Sequence, residues 1–340
     1  MNRGEPWSLP IAVAIIAVSA AVCAGLILAL RPLLVRYALA RPNARSSHVV
    51  PTPQGGGIAV VLAILIVILV ATRLIPALDI HQLGPPLAAA VLLAVVGAID
   101  DVATTPPLPR LIMQFVAVAA VVGLLPGEIR ILSSLPLLLE RALLVVGGVW
   151  AVNLTNFMDG IDWMTVAEVV PVAGGVAVLG ALGTASASTC VVALALFGAI
   201  IGFAPFNRPV ARLFLGDVGS LPIGLLLFWL MVQIASQGRL AAALLLPLYY
   251  LADATITLIE RATRGENVIQ AHRTHFYQRA TAHGWSVRQV VARVFAVNIL
   301  LVALALAAAL LQSTAAQIAA LAIGAVVVGL LLMWMRHAKA

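Results

Sequence analysis

The chain has 340 residues, 63% of them hydrophobic and 10% charged, a mean hydropathy of +1.10 and a formal net charge of +7. A soluble domain is nearer half apolar and a quarter charged, so the composition excludes a soluble globular protein and leaves an integral membrane protein with little soluble mass. Residues 1–340 read as one all-α polytopic unit with no separate domain.

Apolar runs of about 20 residues are long enough to cross a bilayer as helices. They predict about 11 spans, at 9–30, 57–75, 85–99, 110–126, 136–152, 165–183, 188–206, 220–236, 240–259, 291–311 and 316–335. The first run is too long for a signal peptide and lacks a small-residue cleavage pattern. Cys23 and Cys190 lie inside apolar runs. They read as packing residues, so neither a disulfide framework nor a thiolate metal site is expected. Of the 20 Arg and Lys residues, 15 fall in one set of loops, from Arg31 to Lys339, and 5 in the other: Arg3, Arg73, Arg130, Arg141 and Arg239. The positive-inside rule makes the first set cytoplasmic, the N-terminus outer and the C-terminus inner. The two longest loops, 31–56 and 260–290, lie on that inner face.

Taken along the chain, the polar residues gather at the inner ends of the spans. The first inner loop, Arg41 to Gly57, is basic and rich in Pro and Gly. Its three terminal glycines suit either backbone amides brought to a ligand or a flexible lead into the helix. Asp100 and Asp101 end the third span, and adjacent carboxylates repel unless a cation or basic groups lie near them. Asn153, Asn156, Asp159 and Asp162 recur every three residues across the end of the fifth span, a spacing that shares a helix face. Gly160 loosens the backbone between the last two. Asp217 sits in Phe214-Leu215-Gly216-Asp217-Val218-Gly219-Ser220, where Ser220 reads as an N-cap with Pro222 in the first helical turn. The start of that helix is a natural anion site, and carboxylate oxygen is what Mg²⁺ prefers. Asp253 lies inside the ninth span, where an acid is a functional candidate by default unless Arg261 pairs with it. The last inner loop packs His272, Arg273, His275, Gln278 and Arg279 within eight residues, a set suited to a diphosphate because Arg grips phosphate with a two-pronged fork.

Only 13 acids occur in the chain, and five of them sit in these clusters on one face. Carboxylates for a metal beside Arg and His for phosphates fit metal-assisted phosphoryl transfer. Together, the segments HVVPTPQGGGIA (His48–Ala59), GAIDD, NLTNFMDGID, FNRPVARLFLGDVGS and AHRTHFYQR resemble, in order, the polyprenyl-phosphate N-acetylaminosugar-1-phosphate transferases of glycosyltransferase family 4. That family includes the lipid I synthase of peptidoglycan assembly and the initiators of O-antigen and related glycans, and the resemblance covers about residues 41 to 280.

The resemblance implies a bacterial inner-membrane enzyme. Its reaction joins HexNAc-1-phosphate from UDP-HexNAc to undecaprenyl phosphate and releases UMP. Mg²⁺ serves as cofactor, replaceable by Mn²⁺. Asp217 would ligate the metal. Asp100, Asp101, His272 and His275 would be catalytic, and His48, Asn153, Asn156, Asp159, Asp162, Asn207, Arg273 and Arg279 would bind substrate. The implied partners are the nucleotide sugar, the prenyl phosphate and membrane lipid, not nucleic acid; homodimers are common in the family. Two departures stand out. Trp163 follows Asp162 where the family usually has Gly, and HRTHFYQR lacks the run of adjacent histidines of the peptidoglycan enzyme. The second points toward the O-antigen initiators, with GlcNAc or a 6-deoxy-HexNAc such as FucNAc or QuiNAc, rather than a MurNAc-pentapeptide donor. A transporter or flippase is the competing class, but it would hold its polar groups at mid-bilayer and often shows internal repeats; here they lie at the inner ends, with no repeat at the level of motifs.

Overall fold

The computed structural model describes residues 8–40, 51–103, 105–268, 270 and 272–337. His48, with the rest of 41–50, lies outside them. The described chain runs α1 (Leu9–Tyr37), β1 (Leu39–Ala40), β2 (Thr52–Pro53), α2 (Gly56–Leu74), α3 (Ile80–Ala103), α4 (Pro107–Gly123), α5 (Leu137–Met158), α6 (Met164–Ala181), α7 (Ala187–Phe203), α8 (Asp217–Ser236), α9 (Leu240–Leu245), α10 (Leu248–Thr263), α11 (Phe276–Ala282), α12 (Val287–Leu311) and α13 (Thr314–Arg336). The protein is an all-α polytopic membrane protein. Eight helices are long and apolar enough to cross a bilayer, and α4 and α7 are shorter apolar helices. These ten, with the α9–α10 pair, occupy the eleven predicted segments in order.

Three differences from the expected spans matter. The ninth is not one helix: it breaks at Leu246-Pro247, where proline has no N–H to continue the ladder. α8 starts at Asp217 with Gly216 as its N-cap, not at Ser220. A two-residue antiparallel hairpin, Leu39 opposite Pro53, closes the first inner loop; it is too short to leave a period in the sequence.

α8 is buried around nearly its whole circumference, as a helix hydrophobic all round should be. α1, in contrast, exposes Val13, Val18 and Leu28 along its length, a surface for lipid tails. The close approach of α3 to α8 is set by Gly97: a Cβ there would lie 2.3 Å from the carbonyl carbon of Asp217. Small residues let membrane helices touch backbone to backbone, and this contact brings the end of α3 against the start of α8. The triple glycine pairs with protein rather than facing outward. Gly56 N–H donates to Phe214 O at 2.9 Å and Gly57 N–H to Leu215 O at 2.8 Å, so it pins the segment leading into Asp217.

Candidate active site

The site is assembled where α3, α5 and α10 end and α4, α6, α8 and α11 begin. Asp101 caps α8 from another helix: Asp217 N–H donates to its Oδ1 at 2.9 Å and Val218 N–H to its Oδ2 at 3.2 Å. Backbone N–H groups at a helix start lack partners within the helix, and a carboxylate both satisfies them and complements the dipole. Gln54 Nε2 donates to the Asp101 carbonyl at 2.6 Å, which ties β2 to the same point.

Asp100 turns the other way. Its Oδ1 accepts from Thr105 N–H at 2.7 Å and from the Thr105 hydroxyl; its Oδ2 accepts from Arg110 Nη1 at 2.7 Å. The same Arg110 nitrogen lies 3.2 Å from Asp217 Oδ2. One guanidinium therefore bridges two carboxylates from different helices. Asp217 Oδ1 accepts from Asn156 Nδ2 at 2.7 Å, and that nitrogen also reaches Ser220 Oγ at 2.9 Å. Arg110 is a site residue that sequence reasoning counted only as loop charge. Its signal was its position in the first turn of α4, where the dipole disfavours a cation unless an acid is at hand.

Asn153 faces α4 instead, donating to Gln114 Oε1 at 2.6 Å. Asp162 and Asn207 are both buried and hold loops together. Asp162 Oδ2 accepts from Ala211 N–H at 2.9 Å; Asn207 accepts from Trp163 N–H at 2.8 Å and donates to Leu213 O at 3.0 Å. Beside Asp162 a groove of about 830 Å³ opens, with Arg31, Arg212 and Arg288 on its walls.

The histidine loop is held from below by Asp253, which is fully buried. Its carboxylate accepts from Phe276 N–H at 3.1 Å, Tyr277 N–H at 3.3 Å and the Tyr249 hydroxyl at 3.2 Å, and faces His275 Nδ1 at 3.2 Å. Arg261 does not pair with Asp253; it binds Glu266 at 2.8 Å and the carbonyls of Asn267 and Gln270. His272 stacks on His275 with ring centroids 4.8 Å apart. Tyr277 OH donates to Phe157 O at 2.9 Å, joining this loop to the Asn156–Asp159 segment. Gly160 is what admits the tyrosine: a Cβ there would lie 2.1 Å from the Tyr277 oxygen. Arg273 is exposed, whereas Arg279 pairs with Glu260 at 3.0 Å and stacks on Phe276.

Burial, and then the like charges of Asp217, Asp101 and Asp162, push the Asp159 carboxyl up to about 8, against a hydrogen bond from Thr165. Burial, then repulsion by His275 and Arg261, pulls His272 down to about 4. The two have separate pH windows. Asp159 binds more protons folded than unfolded between its ordinary value, about 3.9, and about 8. It therefore lowers metal-free stability as pH rises through that range. His272 costs stability only as pH falls below its ordinary value of about 6.5. Between about 6.5 and 8, Asp159 acts without it. In EDTA, the Tm of the wild type is expected to fall across that window, and Asp159→Asn to flatten the slope. Equal slopes would mean that Asp159 titrates normally.

Among the described residues no three acid, imidazole or thiol groups form a ready-made metal cage. Mg²⁺ does not ask for one: it is commonly held by one or two carboxylates plus substrate phosphates and water. Asp217 and Asp100 already share one cationic group, so the donor set suits a cation.

Fold and site together define a polytopic membrane protein with a carboxylate- and histidine-bearing cluster at one end of its helix bundle. The Glycosyl transferase family 4 model matches residues 85–235, from α3 through α8, and so includes the three aspartate clusters but not the histidine loop. The decaprenyl-phosphate N-acetylglucosaminephosphotransferase of Mycobacterium tuberculosis (strain ATCC 25618 / H37Rv) is 28% identical over 305 residues, 76% of this chain and 72% of that protein. Its counterpart from Mycolicibacterium smegmatis is 28% identical over 313 residues, 78% and 74%. The phospho-N-acetylmuramoyl-pentapeptide-transferase of Bacillus subtilis is 30% identical over 165 residues, 47% and 48%. Over these stretches the chain is similar to that family model and to polyprenyl-phosphate sugar-1-phosphate transferases.

Proposed function

We propose that the protein transfers HexNAc-1-phosphate from UDP-HexNAc to undecaprenyl phosphate on the cytoplasmic face of the bacterial inner membrane, releasing UMP and initiating a lipid-linked surface glycan. The observation that carries this is the Asp100–Arg110–Asp217 bridge, two carboxylates on one cation at a helix start capped by the Asp101 carboxylate. The groove beside Asp162 supports an anionic nucleotide, because its three wall arginines complement a diphosphate. An apolar cavity of about 350 Å³ between α5, α8 and the α9–α10 break, with Trp150 and Thr155 on its wall, supports a prenyl chain. It lies against the stretch of α5 that leads to Asn156.

In the reaction, an oxygen of the lipid phosphate attacks the β-phosphorus of the donor in line. The new P–O bond forms as the bond to the UMP oxygen breaks, and UMP leaves with the electron pair. A phosphate monoester is already ionised near neutrality, its second pKa being about 6, so charge neutralisation matters more than a strong base. Mg²⁺, held by Asp217 with Asp100, would supply that neutralisation when bound. Arg110, freed from Asp217, would face the phosphates, and Asp101 fixes the helix start that aims Asp217. Phosphoenzyme trapped with UDP-sugar alone would replace this single step with a covalent one.

The test is product formation by purified protein in detergent. Undecaprenyl and decaprenyl phosphate would be offered with a panel of labelled UDP-HexNAc donors, with and without EDTA. Metal-dependent product from UDP-GlcNAc or a 6-deoxy-HexNAc is expected. Product from UDP-MurNAc-pentapeptide alone would assign the lipid I reaction instead, and no product from any donor would reject the transferase reading.

Trp163 bears on donor choice. Its φ is +62°, a backbone region costly for a bulky residue and open to glycine. It is held there by its N–H to Asn207 and its indole N–H to Ala204 O at 2.7 Å. Trp163→Gly is therefore expected to fit the backbone and shift donor preference while the KM for the lipid stays within about twofold, a distant site being nearly independent. An unchanged donor profile would clear Trp163 of that role.

A further inference from the structure

We infer that the surface groove between α12 and α13 binds one anionic phospholipid, its phosphodiester on Arg293 and an acyl chain along the groove. Arg293 lies in the second turn of α12, inside an apolar helix long enough to cross the membrane. No salt bridge to it is formed among the described residues, and its one hydrogen bond is from Nη1 to Gln289 O at 2.9 Å. A cation held at the membrane boundary attracts anionic headgroups.

The guanidinium is nonetheless held in place. It sits in the notch of two indoles, 4.4 Å from the Trp285 ring and 4.6 Å from the Trp334 ring, which meet edge to face at 4.8 Å. Cation–π contacts of this kind fix a guanidinium without neutralising it, and tryptophan pairs of this sort mark the headgroup level of a bilayer. Next to the notch runs a shallow cavity of about 500 Å³, lined by Val297, Val327, Leu330 and Leu331. A fixed, unneutralised cation at the mouth of an apolar groove matches a molecule with a phosphate at one end and a hydrocarbon chain behind it. A free phosphate would leave the groove empty, and a zwitterionic lipid would bring its own cation. The groove is carried by the last two helices, and none of Asp100, Asp217 and Asp253 lines it, so the inference stands apart from the transferase reading.

The experiment is native mass spectrometry of delipidated full-length protein titrated with phosphatidylglycerol or phosphatidylcholine of the same acyl chains. Wild type is expected to bind a first phosphatidylglycerol more tightly than phosphatidylcholine, and Arg293→Gln to weaken that step about fivefold, the effect of one cation near an anionic headgroup. Leu330→Trp, at a position 56% exposed, would fill the groove while sparing Arg293, and is expected to weaken the same step. Circular dichroism in detergent checks that both variants fold. Unchanged lipid preference in both folded variants overturns the inference. So does displacement of phosphatidylglycerol by millimolar inorganic phosphate, or a wild-type dimer that both variants convert to monomer, which would give the groove to a second copy of the chain.

Discussion

Asp217→Asn is expected to lower turnover by about 10³-fold or more, the scale of removing a preorganised electrostatic group, while the protein still folds. Asparagine keeps the shape of the side chain and its carbonyl oxygen can still accept from Asn156, 2.7 Å away in the native site. It removes the charge that Arg110 shares between Asp217 and Asp100; Arg110 then stays with Asp100. A fold-neutral loss is the expectation because the α8 start is capped by Asp101 and not by Asp217 itself. Metal linkage separates this from general damage. A cation that binds the folded form stabilises it in proportion to ln(1 + [L]/Kd), so Mg²⁺ should raise the Tm of the wild type and not of Asp217→Asn. Turnover near the wild-type level would place the metal elsewhere. A Tm rise of equal size in both proteins would do the same.

The sequence made the bundle legible because hydrophobic length is a strong signal in a membrane protein: the predicted runs are occupied in order by eight helices long enough to span, two shorter apolar helices and the α9–α10 pair. Helix ends were less visible. α5 runs on to Met158 and α8 begins at Asp217, since polar residues at a site continue a helix that hydropathy alone would stop. The grouping of the acids was legible, but their individual engagements were not. Asp100 and Asp101 are neighbours in sequence, yet one binds Arg110 and the other caps α8. That division depends on the contact at Gly97, which is a matter of tertiary packing. The resemblance implies substrate-binding roles for Asp162 and Asn207; their side chains join the 159–163 and 207–213 segments, engagements that residue type does not disclose.

Asp101 and Asp253 follow one rule. Each reaches out of one helix to accept the first backbone N–H groups of another, α8 in one case and α11 in the other. The starts of α8 and α11 are thereby fixed by acids from other helices. Second-layer groups of this kind set the geometry of the first.

The larger test of that rule is Asp253→Asn. Asp253 faces two backbone N–H groups, the Tyr249 hydroxyl, the Thr257 hydroxyl at 3.3 Å and His275 Nδ1. An amide offers one acceptor oxygen where the carboxylate offers two, and its NH₂ would point at N–H or O–H donors. Leaving buried donors unmatched costs about 1–3 kcal/mol each, and breaking a buried network of this kind about 3–5 kcal/mol in total. A Tm lower by several degrees is expected, together with a fall in kcat of about 10²-fold measured well below that Tm, of the order found when a positioned acid–base group is lost. The kcat loss has a diagnostic. If Asp253 acts by orienting His275, then Asp253→Asn and His275→Ala remove one and the same contribution, and the double variant should be hardly slower than the worse single one. Multiplying losses would mean that Asp253 supports the fold alone and that His275 holds its place without it.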